Sequence, residues 1–232
     1  MTAVQWILEN LPQILELTVD HLLLTVPAVL AAFLLALPLG RLAVRLPRLR
    51  EALVGGIGLL YAIPSLPLFI VLPLILGTSI REPVNAVMAL TLFGLALMVR
   101  SAADAFGSVE EDVRLAAVAV GHSAAGRFLT VELPLAGPAL LAGLRVVSVS
   151  TISLVSVSAV LGITSLGSLF TDGFERGIVA SIVAGIVMTA VLALVLDLLL
   201  VALGRVLMPW RRPAPRRAGS REAARAAERG AA

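Results

Sequence analysis

An ionisable side chain set inside apolar sequence is the first place to look for chemistry. Asp197 is one such residue, the only charge in the run Ile178 to Leu203. Arg145 stands early in a second apolar run, and Arg100 closes a third. An acid at membrane depth can relay protons, or it can form a structural hydrogen bond or ion pair within a helix bundle. The arginines can snorkel to an interface. Glu110, Glu111 and Asp112 are adjacent rather than opposed, and they suit the first turn of a helix, where acids favour the dipole. His21 and His122 are about 100 residues apart with no ligand spacing around them, so no metal site is expected. There is no cysteine, which excludes thiolate metal sites and cysteine nucleophiles. There is no lysine, which excludes the P-loop lysine and Schiff-base chemistry. No catalytic residue and no cofactor are expected. If ATP drives this protein, another chain must hydrolyse it.

The elements that carry these residues belong to a membrane protein. The chain has 232 residues, 59% apolar and 14% charged, with a mean hydropathy of +1.02. Soluble domains hold about 45–50% apolar and about 25% charged residues. About 20 apolar residues cross a bilayer as a helix. Five such runs are present: Thr18 to Gly40, Ala52 to Leu76, Pro83 to Val99, Leu135 to Leu161 and Ile178 to Leu203. The second holds Pro64, Pro67 and Pro73, and must be one bent span or two shorter pieces. Residues 1–17, with Trp6, are expected as an interfacial segment, residues 18–208 as the transmembrane domain, and residues 209–232 as a basic, disordered tail.

All 18 basic residues are arginine, and their placement predicts a direction. With the N-terminus outside, only Arg81 and Arg176 fall on external segments. The other arginines lie on cytoplasmic segments or at their edges, as the positive-inside rule requires. The high isoelectric point is thus an orientation signal. It points to the lipid bilayer and gives no hint of nucleic acid.

Between the third and fourth runs lies Leu115-Ala116-Ala117-Val118-Ala119-Val120-Gly121-His122, followed by Val131-Glu132-Leu133-Pro134. Small residues let a short helix dock closely in a groove. Glycine permits a sharp turn between helices, and proline suits a first helical turn. The spacing resembles the cytoplasmic coupling loop of ABC importer permeases: Glu-Ala-Ala, three residues, Gly, nine residues, then Ile-x-Leu-Pro. Ala116, Ala117, Gly121, Leu133 and Pro134 match by identity, and Val131 replaces isoleucine. Leu115 stands where the family has glutamate, a departure from its pattern. Tyr61-Ala62-Ile63-Pro64-Ser65-Leu66 and the stretch Ser165 to Phe174 resemble segments of osmoprotectant importer permeases, as does Arg100 at the end of the third run.

The resemblance implies an all-α fold, a bundle of about five transmembrane helices with a cytoplasmic coupling helix within residues 108–134. It is the type I ABC importer permease fold. It also implies a bacterial plasma-membrane subunit that imports quaternary amines such as glycine betaine, choline or carnitine by alternating access. The implied partners are a dimer of ATPase subunits, a second permease copy or paralogue, and an extracellular solute-binding protein. Leu115, Ala116, Ala117, Gly121, His122, Val131, Leu133 and Pro134 would form the coupling site. Candidate path residues are Tyr61, Pro64, Ser65, Ser153 and Asp197. The polar residues Ser148 to Ser158 surround their helix, so only some can face a path. Aromatic residues form no cluster that could cage a quaternary ammonium, which places solute selection on the binding protein. The competing readings are a permease for another small polar solute, such as an amino acid, a secondary transporter, and a membrane enzyme. No internal repeat favours the second, and no convergent nucleophiles or acids favour the third.

Overall fold

Apolar sequence in lipid must satisfy its backbone internally, and this chain does so with helices. The computed structural model describes residues 3–211, so the expectation for the tail beyond Arg211 lies outside the described residues. Ten α-helices occur there: α1 (Ala3–Glu9), α2 (Leu11–Arg45), α3 (Pro47–Gly58), α4 (Ser65–Leu76), α5 (Pro83–Gly107), α6 (Glu111–Ala119), α7 (Ala124–Arg127), α8 (Leu133–Ser158), α9 (Ser168–Glu175) and α10 (Val179–Leu207). No strand is present among the described residues.

Four helical stretches are long and apolar enough to cross a membrane singly: α2, α5, the stretch Ala124–Leu161 containing α8, and α10. The proline-rich segment makes a fifth when its two pieces are counted as one bent span. Its halves, Pro47–Ala62 and α4, meet at 101°. Ile63 and Pro64 are extended there, with ψ of 126° and 136°. The residue before a proline avoids helical ψ, which ends the first piece, and Pro64 then caps the second.

The central helix is α5, which packs on α2, α3 and α8. Alanines 86, 89, 96, 102, 103 and 105 are buried along it. Helices in lipid associate through small residues that admit close approach. Gly40 of α2 shows how close: a Cβ there would lie 2.6 Å from the Ala102 Cβ. By contrast, α10 buries little of itself and exposes a broad leucine and valine surface, as a lipid-facing helix does.

Three boundaries differ from expectation. The first long helix begins at Leu11, not Thr18, and its extra turns are not a separate surface segment. Ile14 and Leu17 are buried with Ile152, Leu166, Leu169 and Leu192, and Trp6 of α1 packs on that cluster. The cause is length: a helix of 35 residues reaches about 52 Å, well beyond a hydrocarbon core of about 30 Å, so its end is free to pack on α9 and α10. The third helix runs past Arg100, where its apolar run closes, and continues to Gly107 because alanines sustain it. Finally, Pro134 does not open a new helix. The chain turns helical at Ala124 and passes through a π turn, Phe128–Glu132, directly into α8. Proline lacks the N–H that an α turn would need at position 134. The wider turn sits at that gap, and Leu133 N–H reaches back to the Phe128 carbonyl.

Candidate functional site

The loop between α5 and α8 is a helix–turn–helix unit built by its own caps. Glu111 and Asp112 lie in the first turn of α6, where the helix dipole favours acids. Arg114 pairs with Glu111 at 3.1 Å and donates to the Phe106 carbonyl, which ties α6 to the end of α5. Gly121 ends α6 with φ of +90°, in the left-handed region that glycine alone enters without strain. Its N–H donates to the Val118 carbonyl at 2.9 Å, and His122 N–H donates to the Ala117 carbonyl at 3.0 Å. This pair of bonds is the Schellman termination. Ser123 then caps α7 by accepting from Gly126 N–H at 3.1 Å. His122 is exposed, with Nδ1 3.4 Å from Thr130 Oγ.

The two sides of α6 differ. Ala117 is buried against the rest of the chain, whereas Leu115, Ala116, Val118, Ala119 and Val120 are exposed. Leu115 is 60% exposed and Val120 76%. Leu129 of the π turn is likewise 60% exposed. Val131, Leu133 and Pro134 are half-buried or exposed only in part where the loop re-enters the bundle.

Sequence reasoning passed over the residue that fastens the loop. Glu132 is buried, and its carboxylate accepts from Arg127 Nε at 2.8 Å and from Arg41 Nε at 3.1 Å. Arg41, near the end of α2, also donates to the Ala124 carbonyl at 2.9 Å and lies 4.1 Å from the centre of the Phe128 ring. One guanidinium thus holds α2, α7 and the π turn together. The signal was available: Glu132 is the only acid between Asp112 and Asp172, at the threshold of an apolar run. A buried carboxylate there requires a cation.

The path candidates fall into two groups. Tyr61, Pro64 and Ser65 sit together at the break before α4, the first two exposed and Ser65 half-buried. The Tyr61 ring meets Phe93 of α5 edge-on, with centroids 6.0 Å apart. Of the polar residues on α8, Ser148, Thr151 and Ser158 are buried while Ser153 is exposed. Ser153 continues an exposed stripe of mostly small residues, Ala139, Ala142, Val146 and Val149. Asp197 joins neither group. It accepts a two-pronged contact from Arg145, with Nε and a terminal nitrogen at 2.6 and 2.7 Å, and so bridges α10 to α8. That geometry also accounts for Arg145, which pairs within the bundle rather than standing alone. His21 is fully buried and its Nε2 lies 3.0 Å from the Ile152 carbonyl, a bond between α2 and α8.

The chain is similar to known proteins over most of its length. Residues 28–212 match the profile of the family described as binding-protein-dependent transport system inner membrane component. The osmoprotectant import permease protein OsmW of Salmonella typhimurium is 34% identical over 178 residues, covering 75% of this chain and 82% of that protein. The choline transport system permease protein OpuBB of Bacillus subtilis is 26% identical, covering 74% of this chain and 78% of its own length. A Helicobacter pylori protein named as an ergothioneine transport permease and ergothioneine binding protein is 33% identical over 126 residues, but this chain spans only 22% of it. Among solved structures, an inward-facing conformation of the MetNI methionine ABC transporter has a chain that superposes with a TM-score of 0.70 at 19% identity. The match covers 86% of this chain and 96% of that one.

Proposed function

The chain belongs to the inner-membrane component family of binding-protein-dependent transport systems, and from that premise we infer a permease that carries quaternary-amine osmoprotectants of the glycine betaine, choline and carnitine class. It is a multi-pass transport subunit with the type I importer fold. The apolar outer side of α6 carries the reading: Leu115, Val118 and Val120 are left uncovered by the chain's own fold, and a separate ATPase would cover them. Because the family's glutamate is replaced by Leu115, this contact is apolar rather than charged. The Glu132 clamp would carry movement of the docked loop to α2, and thence to α5.

Two permeases pair, and ATP binding to the ATPases favours one of two arrangements of the spans. The small-residue stripe on α8 suits close packing against a second copy or paralogue, or the path between them. Ser153 and the Tyr61–Ser65 break are the path residues. The arginine distribution supports an N-terminus outside and a cytoplasmic C-terminus. An extracellular binding protein selects the solute. The named relatives support choline and osmoprotectants, and the Helicobacter pylori relative makes ergothioneine the alternative cargo.

Reconstitution tests this. Proteoliposomes holding the permease, its ATPase and its binding protein should take up glycine betaine only with ATP, indifferent to a proton gradient. A Leu115→Asp and Val118→Asp double variant should insert normally and lose ATP-dependent uptake. Full uptake by that variant would remove the docking role.

A further inference from the structure

Beside the coupling loop, the end of α2 carries a second feature. An apolar groove runs along the exposed side of α2, lined by Leu34, Leu37, Pro38 and Leu42, with the Phe128 ring closing it. At the loop end the groove meets Arg41 and Arg45, which also line an adjoining polar cleft. Arg114, Arg127, Glu111 and Glu132 complete the charged lining of that cleft. Four arginines face two glutamates there, leaving two positive charges in excess. Glu132 is already shared by Arg41 and Arg127, and Glu111 is engaged by Arg114. Arg45 makes no ion pair among the described residues.

The geometry points to a bound anionic glycerophospholipid of the leaflet on the coupling-loop side. An acyl chain lies in the groove between Leu34 and Phe128, and the headgroup phosphate lies at Arg45, at the mouth of the cleft. Two features select this occupant over a soluble anion or a neutral lipid. Groove and cleft are continuous through Arg41 and Arg45, so one ligand with an apolar tail and a negative head fills both. The groove also lies on the exposed side of a membrane-spanning helix, in line with Leu23 and Leu30, where lipid is already the solvent. The lipid would stand against Phe128 and Arg41, the residues that hold the loop to α2.

Native mass spectrometry of the full-length chain in detergent tests the site, with dioleoyl phosphatidylglycerol and dioleoyl phosphatidylcholine added separately. Phosphatidylglycerol should be retained in preference to phosphatidylcholine. Arg45→Gln should weaken that retention about fivefold, the effect of one arginine near an anionic surface. Arg45→Lys, which keeps the charge, should restore it. The arginine-rich tail is the same in all three proteins, so a difference between them belongs to Arg45. Millimolar sn-glycerol 3-phosphate should not displace the lipid. Equal retention of both lipids, or unchanged retention in Arg45→Gln, overturns the site. Displacement by sn-glycerol 3-phosphate overturns the lipid in favour of a soluble phosphate. Each variant's melting temperature in lipid-free detergent, expected to match the wild type, separates loss of the site from loss of fold.

Discussion

Glu132 and Asp197 both sit at the edge of, or within, apolar helices, and the protein treats them differently. Glu132 takes two arginines from different elements, and its side chain is 7% exposed. Asp197 takes one arginine in a two-pronged grip and remains 22% exposed. The deeper carboxylate has more cations because protein donors must take the place of the water it gives up on burial. Position matters as much as number. The Glu132 group joins the loop to α2, so it can pass movement between them. The Arg145–Asp197 pair joins the middles of two neighbouring helices, and holds α10 on α8.

The contrast sets an order of effects. Glu132→Ala should be the most damaging change, since it leaves Arg41 and Arg127 facing each other at a buried site. Loss of one partner from such a pair costs about 3–5 kcal/mol, to be read as a fall in thermal stability of the detergent-solubilised chain together with loss of uptake. Removing Arg41 and Arg127 as well should recover part of that stability, because the unpaired charges go with it. Gly121→Val comes next. It forces a β-branched residue to φ of +90°, and the left-handed region costs about 1–2 kcal/mol for a residue with a side chain. Uptake should fall while the amount of inserted protein stays near normal.

Asp197→Asn should do less. Transport should persist at reduced rate, with lower yield of inserted protein, and exchanging the two residues (Arg145→Asp with Asp197→Arg) should recover yield. Complete loss of transport in Asp197→Asn, with normal insertion, would instead make this pair part of the translocation chemistry. Ser153→Ala should be the mildest, changing uptake less than about fivefold, since a single neutral hydroxyl contributes about 1 kcal/mol at most.

Much of the architecture was legible because lipid leaves few choices. The apolar runs mark the spans, and the three prolines mark the broken one. Gly121 could be read as the turn because its chemistry is local: a left-handed residue after a short helix. The N-terminal boundary could not be read so. Whether residues 11–17 lie on a membrane surface or extend α2 depends on Ile14 finding Ile152 and Leu166, which are distant in sequence. Pro134 misled for a related reason. Proline suits a first helical turn, but a π turn can carry a continuous helix past the missing donor. Glu132 was hidden in plain view as the unassigned position of Val-x-Leu-Pro. Its partners, Arg41 and Arg127, look in sequence like ordinary positive-inside residues. The Arg145–Asp197 pairing is a matter of helix rotation, which hydropathy does not encode.

In the proposed function the Glu132 clamp passes the movement of an ATPase from the loop to the bundle. The direct test compares ATP hydrolysis with glycine betaine uptake in the same proteoliposomes, with ATPase and binding protein present, for Glu132→Gln and Asp197→Asn. Glutamine keeps the size of the side chain and removes the charge. Glu132→Gln should retain hydrolysis but lose most uptake, whereas Asp197→Asn should keep the two in proportion. Wild-type uptake per ATP in Glu132→Gln would contradict that role of the clamp.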